Sequence, residues 1–131
     1  MLNCSQSKDI DEMVFNEYKN CNCDKPCVIN FGILLDFEWD TMCFYSGALS
    51  LEEINADLGF ELENFVDIGD RVIFLNKNRV VYQKEWSLNQ RNQKEYVVFN
   101  TNKPVFKIDR NNAIFLVKKE GPVYYLELIR N

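Results

Sequence analysis

The chain has 131 residues, 47% of them hydrophobic and 14% aromatic, with a formal net charge of -5 and no histidine. A chain of this length folds as one domain over residues 1–131 and buries roughly 70% of its unfolded surface, and three prolines and five glycines give no sign of a low-complexity linker. The missing imidazole removes Ser-His-Asp and Cys-His catalysis, no apolar run approaches the roughly 18 residues of a bilayer span, and the N-terminus lacks the basic and apolar regions of an intact signal peptide.

The charge is unevenly placed. Residues 1–70 carry three basic and fifteen acidic side chains, a balance of -12, whereas residues 71–131 carry twelve basic and five acidic, a balance of +7. Within one domain the two halves complement each other, and the acidic half also offers a face to a basic protein partner. Nucleic acid is disfavoured, because the basic residues alternate with apolar ones and form no stripe.

In chain order, "MLNC" sets Cys4 behind Leu2 and Asn3, as though a signal peptide had been removed before a lipidated cysteine. Asn3 is an unusual residue for the position before such a cysteine. On this reading residues 1–8 are a disordered tether, and a lipid on Cys4 is the chain's only link to a membrane. Residues 9–19, "DIDEMVFNEYK", place Ile10, Met13, Val14 and Tyr18 at helical spacing, with Asp9 and Glu12 as a capping box.

"CNCDKPC" follows. Its spacing is not that of a zinc ribbon, no histidine completes a mixed site, and no metal or other cofactor is expected. A reactive thiol lacks its usual base. With Cys4 assigned to a lipid, Cys21, Cys23, Cys27 and Cys43 remain for two disulfides in an oxidising compartment, here the periplasm. Residues i and i+2 lie near the limit of disulfide reach, so Cys21 and Cys23 are expected to bond elsewhere, with Cys27 and Cys43 as their partners. The competing expectation is a set of reduced, buried cysteines in a cytosolic adaptor domain.

"CVINFGILLDFEW" is apolar but interrupted by Gly32, which allows one strand or an extended crossing. In "DFEWD" an extended chain puts Asp36, Glu38 and Asp40 on one face about 6.5 to 7 Å apart, with Phe37 and Trp39 on the other. Such carboxylates suit acid-base chemistry on a sugar or a hard cation. Thr41 and Gly47 break the calcium-loop pattern, however, and an aromatic-in, acid-out strand is the simpler reading. Residues 50–59, "SLEEINADLG", give a complete helix signal: Ser50 and Glu53 as cap, Leu51, Ile54 and Leu58 as buried stripe, and Gly59 as left-handed stop.

From residue 71 the period becomes two. "RVIFLN" and "RVVYQKEW" flank Lys77 as a hairpin, followed by "EYVVFN", "PVFKID", "AIFLVKK" and "VYYLELIR". The fold class is therefore α+β: an antiparallel meander sheet of five to six strands packed with one or two short helices. The aromatics Tyr82, Trp86, Tyr96, Phe99, Phe106, Tyr124 and Tyr125 are read as core plus a few exposed rings.

Residues 36–82 also resemble a class of small bacterial exported proteins, often lipoproteins. In that class a Phe-x-Trp-Asp strand leads to an aromatic pair, a capped helix ending in Leu-Gly, and a "VIF" hairpin. The matching residues are Phe37, Trp39, Asp40, Phe44, Tyr45, Ile54, Leu58, Gly59, Phe74 and Val81; the cysteine cluster is not part of the pattern. The resemblance implies an exported α+β domain with no catalytic residues to carry over, and some such proteins are immunity proteins that block a secreted toxin. The expectation is a non-enzymatic periplasmic binding protein whose partner is a protein, such as a cognate toxin, contacted through Asp36, Glu38, Trp39, Asp40, Phe44 and Tyr45. A small carboxylate-dependent enzyme centred on Asp36, Glu38 and Asp40 is the alternative.

Overall fold

The computed structural model describes residues 9–21, 25–65, 69–87 and 95–129. The expected tether over residues 1–8, and the roles given to Cys4 and Cys23, fall outside them.

Helix α1 (Ile10–Lys19) buries Ile10, Met13 and Val14 as its spacing predicts, and it buries Asp11 as well. Its capping box does not form: Asp9 makes no side-chain cap bond. Instead the Asp9 carboxylate pairs with Lys84 at 3.0 Å. Strand β1 (Cys27–Asn30) then gives way to a single helical turn, α2 (Phe31–Leu34). Gly32 makes this turn possible, because a Cβ there would lie 2.5 Å from the backbone oxygen of Arg110. Strand β2 (Thr41–Tyr45) was not anticipated by the period-two pattern. Helix α3 (Leu51–Leu58) has both bonds of the Ser50–Glu53 capping box, and Gly59 closes it at φ 88°.

Six further strands follow: β3 (Gly69–Asn76), β4 (Arg79–Ser87), β5 (Tyr96–Phe99), β6 (Val105–Asp109), β7 (Ile114–Glu120) and β8 (Val123–Leu128). The hairpin β3–β4 turns through Lys77 and Asn78, both at positive φ (53° and 66°), the two-residue geometry that matches strand twist.

The class is α+β, but the single meander is corrected to two four-stranded sheets. Sheet I has the order β1-β7-β8-β5 and sheet II the order β4-β3-β2-β6. The division falls between β5 and β6, which look like a hairpin in sequence. β5 instead runs parallel to β8, and β6 pairs with β2. The connection is fastened to both sheets, since Asn100 N–H donates to the Leu126 oxygen and Ser46 N–H to that of Pro104.

The inner faces of the two sheets share one core. Phe44 stacks on Phe106 at 5.0 Å, Phe31 meets Phe115 at 5.1 Å, and Phe37 and Trp39 converge on Phe74 at 5.8 and 4.9 Å. Helix α1 fills one end, with Phe15 4.6 Å from Tyr124. Trp86, Phe99, Phe106 and Tyr124 are core as expected, and Tyr82, Tyr96 and Tyr125 are half-buried. The outer face of sheet II is closed by α3 over a second cluster of Cys43, Tyr45, Ile54, Leu62, Ile73 and Leu75. Full burial of a side chain such as Ile54 contributes about 1.5–3 kcal/mol, so sheet II is held from both faces.

Candidate binding surface

Of the six residues expected to contact a partner, three are interior. Trp39 and Phe44 are 2% exposed and Tyr45 is 0% exposed, so none of them is a surface anchor. The correction follows from β2: four consecutive apolar residues, Met42 to Tyr45, lie between a filled core on one face and α3 on the other. Tyr45 instead locks α3 in place. Its hydroxyl donates to Asp57 Oδ2 at 2.6 Å, and Lys107 Nζ reaches the same oxygen at 3.0 Å. The Tyr45 bond, with help from Lys107, holds the Asp57 carboxyl below its ordinary range, while burial raises the Tyr45 hydroxyl far above its own.

The acidic trio does not line up as a strand. Residues 35–40 are irregular, and Asp36, Glu38 and Asp40 are all exposed. Asp40 serves the β3–β4 turn: its carboxylate accepts from the Lys77 backbone N–H at 2.8 Å and the Thr41 hydroxyl at 2.8 Å. These two bonds hold the Asp40 carboxyl below its ordinary value. Asp40 is thus a turn cap within the hairpin, which takes one carboxylate out of any catalytic trio.

The cysteines divide differently from the expected two bridges. Cys21 is bonded to Cys27, a separation of six residues. Cys43 is a free thiol, 0% exposed, and burial raises its pKa, so at neutral pH it stays protonated and is neither nucleophile nor bridge. It faces α3 from the middle of sheet II, where no other described cysteine reaches. The disulfide fits a location outside the reducing cytosol.

A second polar constellation went unread in the sequence. Tyr82, Lys84 and Trp86, alternate residues of β4, hold the first turn of α1. Tyr82 Oη accepts from the Ile10 N–H at 3.1 Å, Lys84 pairs with Asp9, and Trp86 Nε1–H donates to both oxygens of Asp11 at 2.9 and 3.1 Å. Burial pushes the Asp11 carboxyl up to about 6, against the opposing pull of Lys84 and the indole. Asp11 sits one position after Ile10 in the buried stripe, and that misplaced carboxylate was the available signal.

A concavity beside the acidic half lies along β4, an edge strand of sheet II. It is a groove of about 560 Å³ between residues 60–64 and residues 78–83. Val81 is the extra residue of a bulge opposite Phe74 and Leu75 and is 41% exposed. A bulge of this kind re-aims a side chain and blunts the edge against strand addition. Glu61 and Glu63 stand exposed on the facing wall, and Arg79 is the one basic lining residue. The surroundings are acidic too: between Lys25 and Arg71 the sequence has ten carboxylates and no lysine or arginine, and Glu52, Glu53 and Asp57 are exposed on α3.

No family model, curated protein or solved structure matches this chain. Among the described residues no group of three or more Cys, Asp or Glu side chains converges in a way that would hold a metal ion, and no helix is long and apolar enough to cross a membrane.

Proposed function

We propose that this protein is a non-enzymatic binding protein that recognises a basic protein partner through the groove along β4. The observation that carries the proposal is the exposed Val81 on its bulge, facing the carboxylates of Glu61 and Glu63 across an open groove. An apolar anchor with an acidic rim suits a partner that inserts an apolar side chain flanked by lysine or arginine. The rim charges speed and select the encounter, and the desolvated centre supplies affinity. The disulfide supports an exported location, which we take to be the periplasm, with Cys4 carrying a lipid. The likeness to small exported lipoproteins and immunity proteins supports a secreted toxin as the partner, its active site covered by this surface.

The test is capture of a basic protein from the secreted fraction of the source cells by the immobilised chain, with retention falling as salt rises. Val81→Asp and the pair Glu61→Lys/Glu63→Lys should each weaken retention by about tenfold, equivalent to about 1.4 kcal/mol. A partner held equally well by both variants would place its binding surface elsewhere. If the captured protein is a toxin, co-expression of the wild-type chain should protect cells and co-expression of Val81→Asp should not.

A further inference from the structure

The two sheets are covered unequally. Sheet II has the shared core on one face and α3 on the other. On sheet I, Cys27, Ile29, Val97, Phe99, Phe115, Val117, Tyr124 and Leu126 point into the shared core. Strand alternation sends their neighbours to the opposite face. There Val28 is 49% exposed, Ile129 is 38% exposed, Val98, Ile114, Leu116 and Tyr125 are half-buried, and Val123 is buried. None of these seven belongs to or packs against either core cluster of the described residues. An apolar sheet face that is partly open to water and outside the core marks an interaction site.

We infer that a second copy of this chain covers this face, the two sheets packing outer face to outer face. The polar residues on the face are arranged for such a pairing. In the β7–β8 register Leu116 lies opposite Glu127 and Lys118 opposite Tyr125, so Lys118 and Glu127 sit on one diagonal and the apolar Leu116 and Tyr125 on the other. A two-fold axis along the apolar diagonal sets Leu116 and Tyr125 against their own symmetry mates. It also carries Lys118 of each copy toward Glu127 of the other, the self-complementarity that an isologous interface requires. Both charged side chains are exposed in the single chain. The apolar side chains on a β face suit the sheet-on-sheet packing of sandwich folds.

The pairing is weak by construction. Four strands about 4.8 Å apart and about five residues long span roughly 320 Å² of sheet per copy, well below the ~800 Å² per partner of a standard interface. The dimer should therefore assemble and dissociate reversibly in the micromolar range or above. It uses neither the groove along β4 nor its partner, so it stands or falls separately from the proposed function.

Sedimentation of the whole chain across micromolar to millimolar concentrations tests the inference. The weight-average mass should climb from 15.5 kDa toward twice that value. Lys118→Glu, a change at an exposed site, should hold the chain at monomer mass, and Lys118→Glu combined with Glu127→Lys should restore the dimer. Leu116→Glu should abolish it, with circular dichroism confirming that the fold is kept. A chain that stays monomeric throughout overturns the inference, whether the face is then covered by another stretch of the same chain or binds lipid vesicles. A dimer that survives Lys118→Glu, or one that the double exchange fails to restore, overturns it as well.

Discussion

Asp11 gives the sharpest stability prediction, because it is a carboxylate that the fold holds at about 6 against an ordinary value of 3.8. The folded state therefore binds this proton more tightly than the unfolded state does. Its contribution to stability is fully present below the ordinary value and is lost as pH rises through 6. A proton held about two pH units more tightly is worth about 3 kcal/mol in total, and between pH 5 and pH 7.5 the stability that disappears is about 1.4 kcal/mol. For a chain of this size that is about 5 °C in melting temperature. The window is clean: the protein has no histidine, and Asp40 and Asp57, held below their ordinary range, lose stability only as pH falls below about 4. The groups facing Asp11 are Lys84 and Trp86 from β4, Asp9 at the N-cap of its helix and Glu12 within the helix. Thermal melts of wild type and Asp11→Asn at both pH values provide the assay, since asparagine keeps an acceptor for the indole and removes the titration. The wild type should melt about 5 °C higher at pH 5 than the variant's own change predicts, and tryptophan emission should titrate near pH 6 in the wild type alone. If the wild type is flat across this window, or Asp11→Asn keeps the same slope, the carboxylate is not held as the burial implies.

Removing the Cys21–Cys27 bond with paired serines should lower stability by about 2 kcal/mol through the freedom returned to a short loop, read by denaturant midpoint at unchanged slope. Ser50→Ala removes the bond from the Glu53 N–H to Ser50 Oγ, the side-chain half of the α3 capping box, and should cost about 1 kcal/mol, or about 4 °C, in a thermal scan. Gly32→Ala forces a methyl against the Arg110 backbone oxygen and should cost about 1–3 kcal/mol by the same scan, with no effect expected on capture of the partner. In a Cys4→Ser/Cys23→Ser background the folded protein should show no thiol reactive to Ellman's reagent and the unfolded protein one, Cys43.

Helix α3 was legible because every signal in it is local: the cap, the stripe and the stop all lie within residues 50–59, and packing ratifies them. The β3–β4 hairpin was legible for the same reason, its turn fixed by two residues. What failed was non-local. Asp9 has the sequence of a cap, but Lys84, brought close by the tertiary fold, draws its carboxylate away. β2 carries no alternation because both of its faces are covered, so its run Met42 to Tyr45 lacks the period that marks a one-sided strand. Trp39, Phe44 and Tyr45 therefore looked like a surface aromatic group when they are interior. The same blindness hid the exchange of β5 and β6 between sheets, since a hairpin-length connection says nothing about which partner buries more apolar surface. For the binding surface, the acidic bias of residues 1–70 was readable, but the bulge that exposes Val81 depends on register alone.

The loss of alternation in β2 bears on sheet I in turn. Strands covered on both sides read as unbroken apolar runs, and those facing water on one side alternate. In sheet II the rule closes: Val72 to Leu75 of β3 and Met42 to Tyr45 of β2 are unbroken, and each has the core on one face and the α3 layer on the other. In sheet I, residues 114–117 of β7 and 123–126 of β8 are unbroken in the same way, yet both strands have a core on one face only. A strand selected only to face water would carry polar residues at Ile114, Leu116 and Tyr125, as Thr41 does at the rim of sheet II. The composition of these two strands is that of a sheet with a second cover. Neither core cluster of the described residues supplies that cover, and under the inferred pairing a second copy of the chain does.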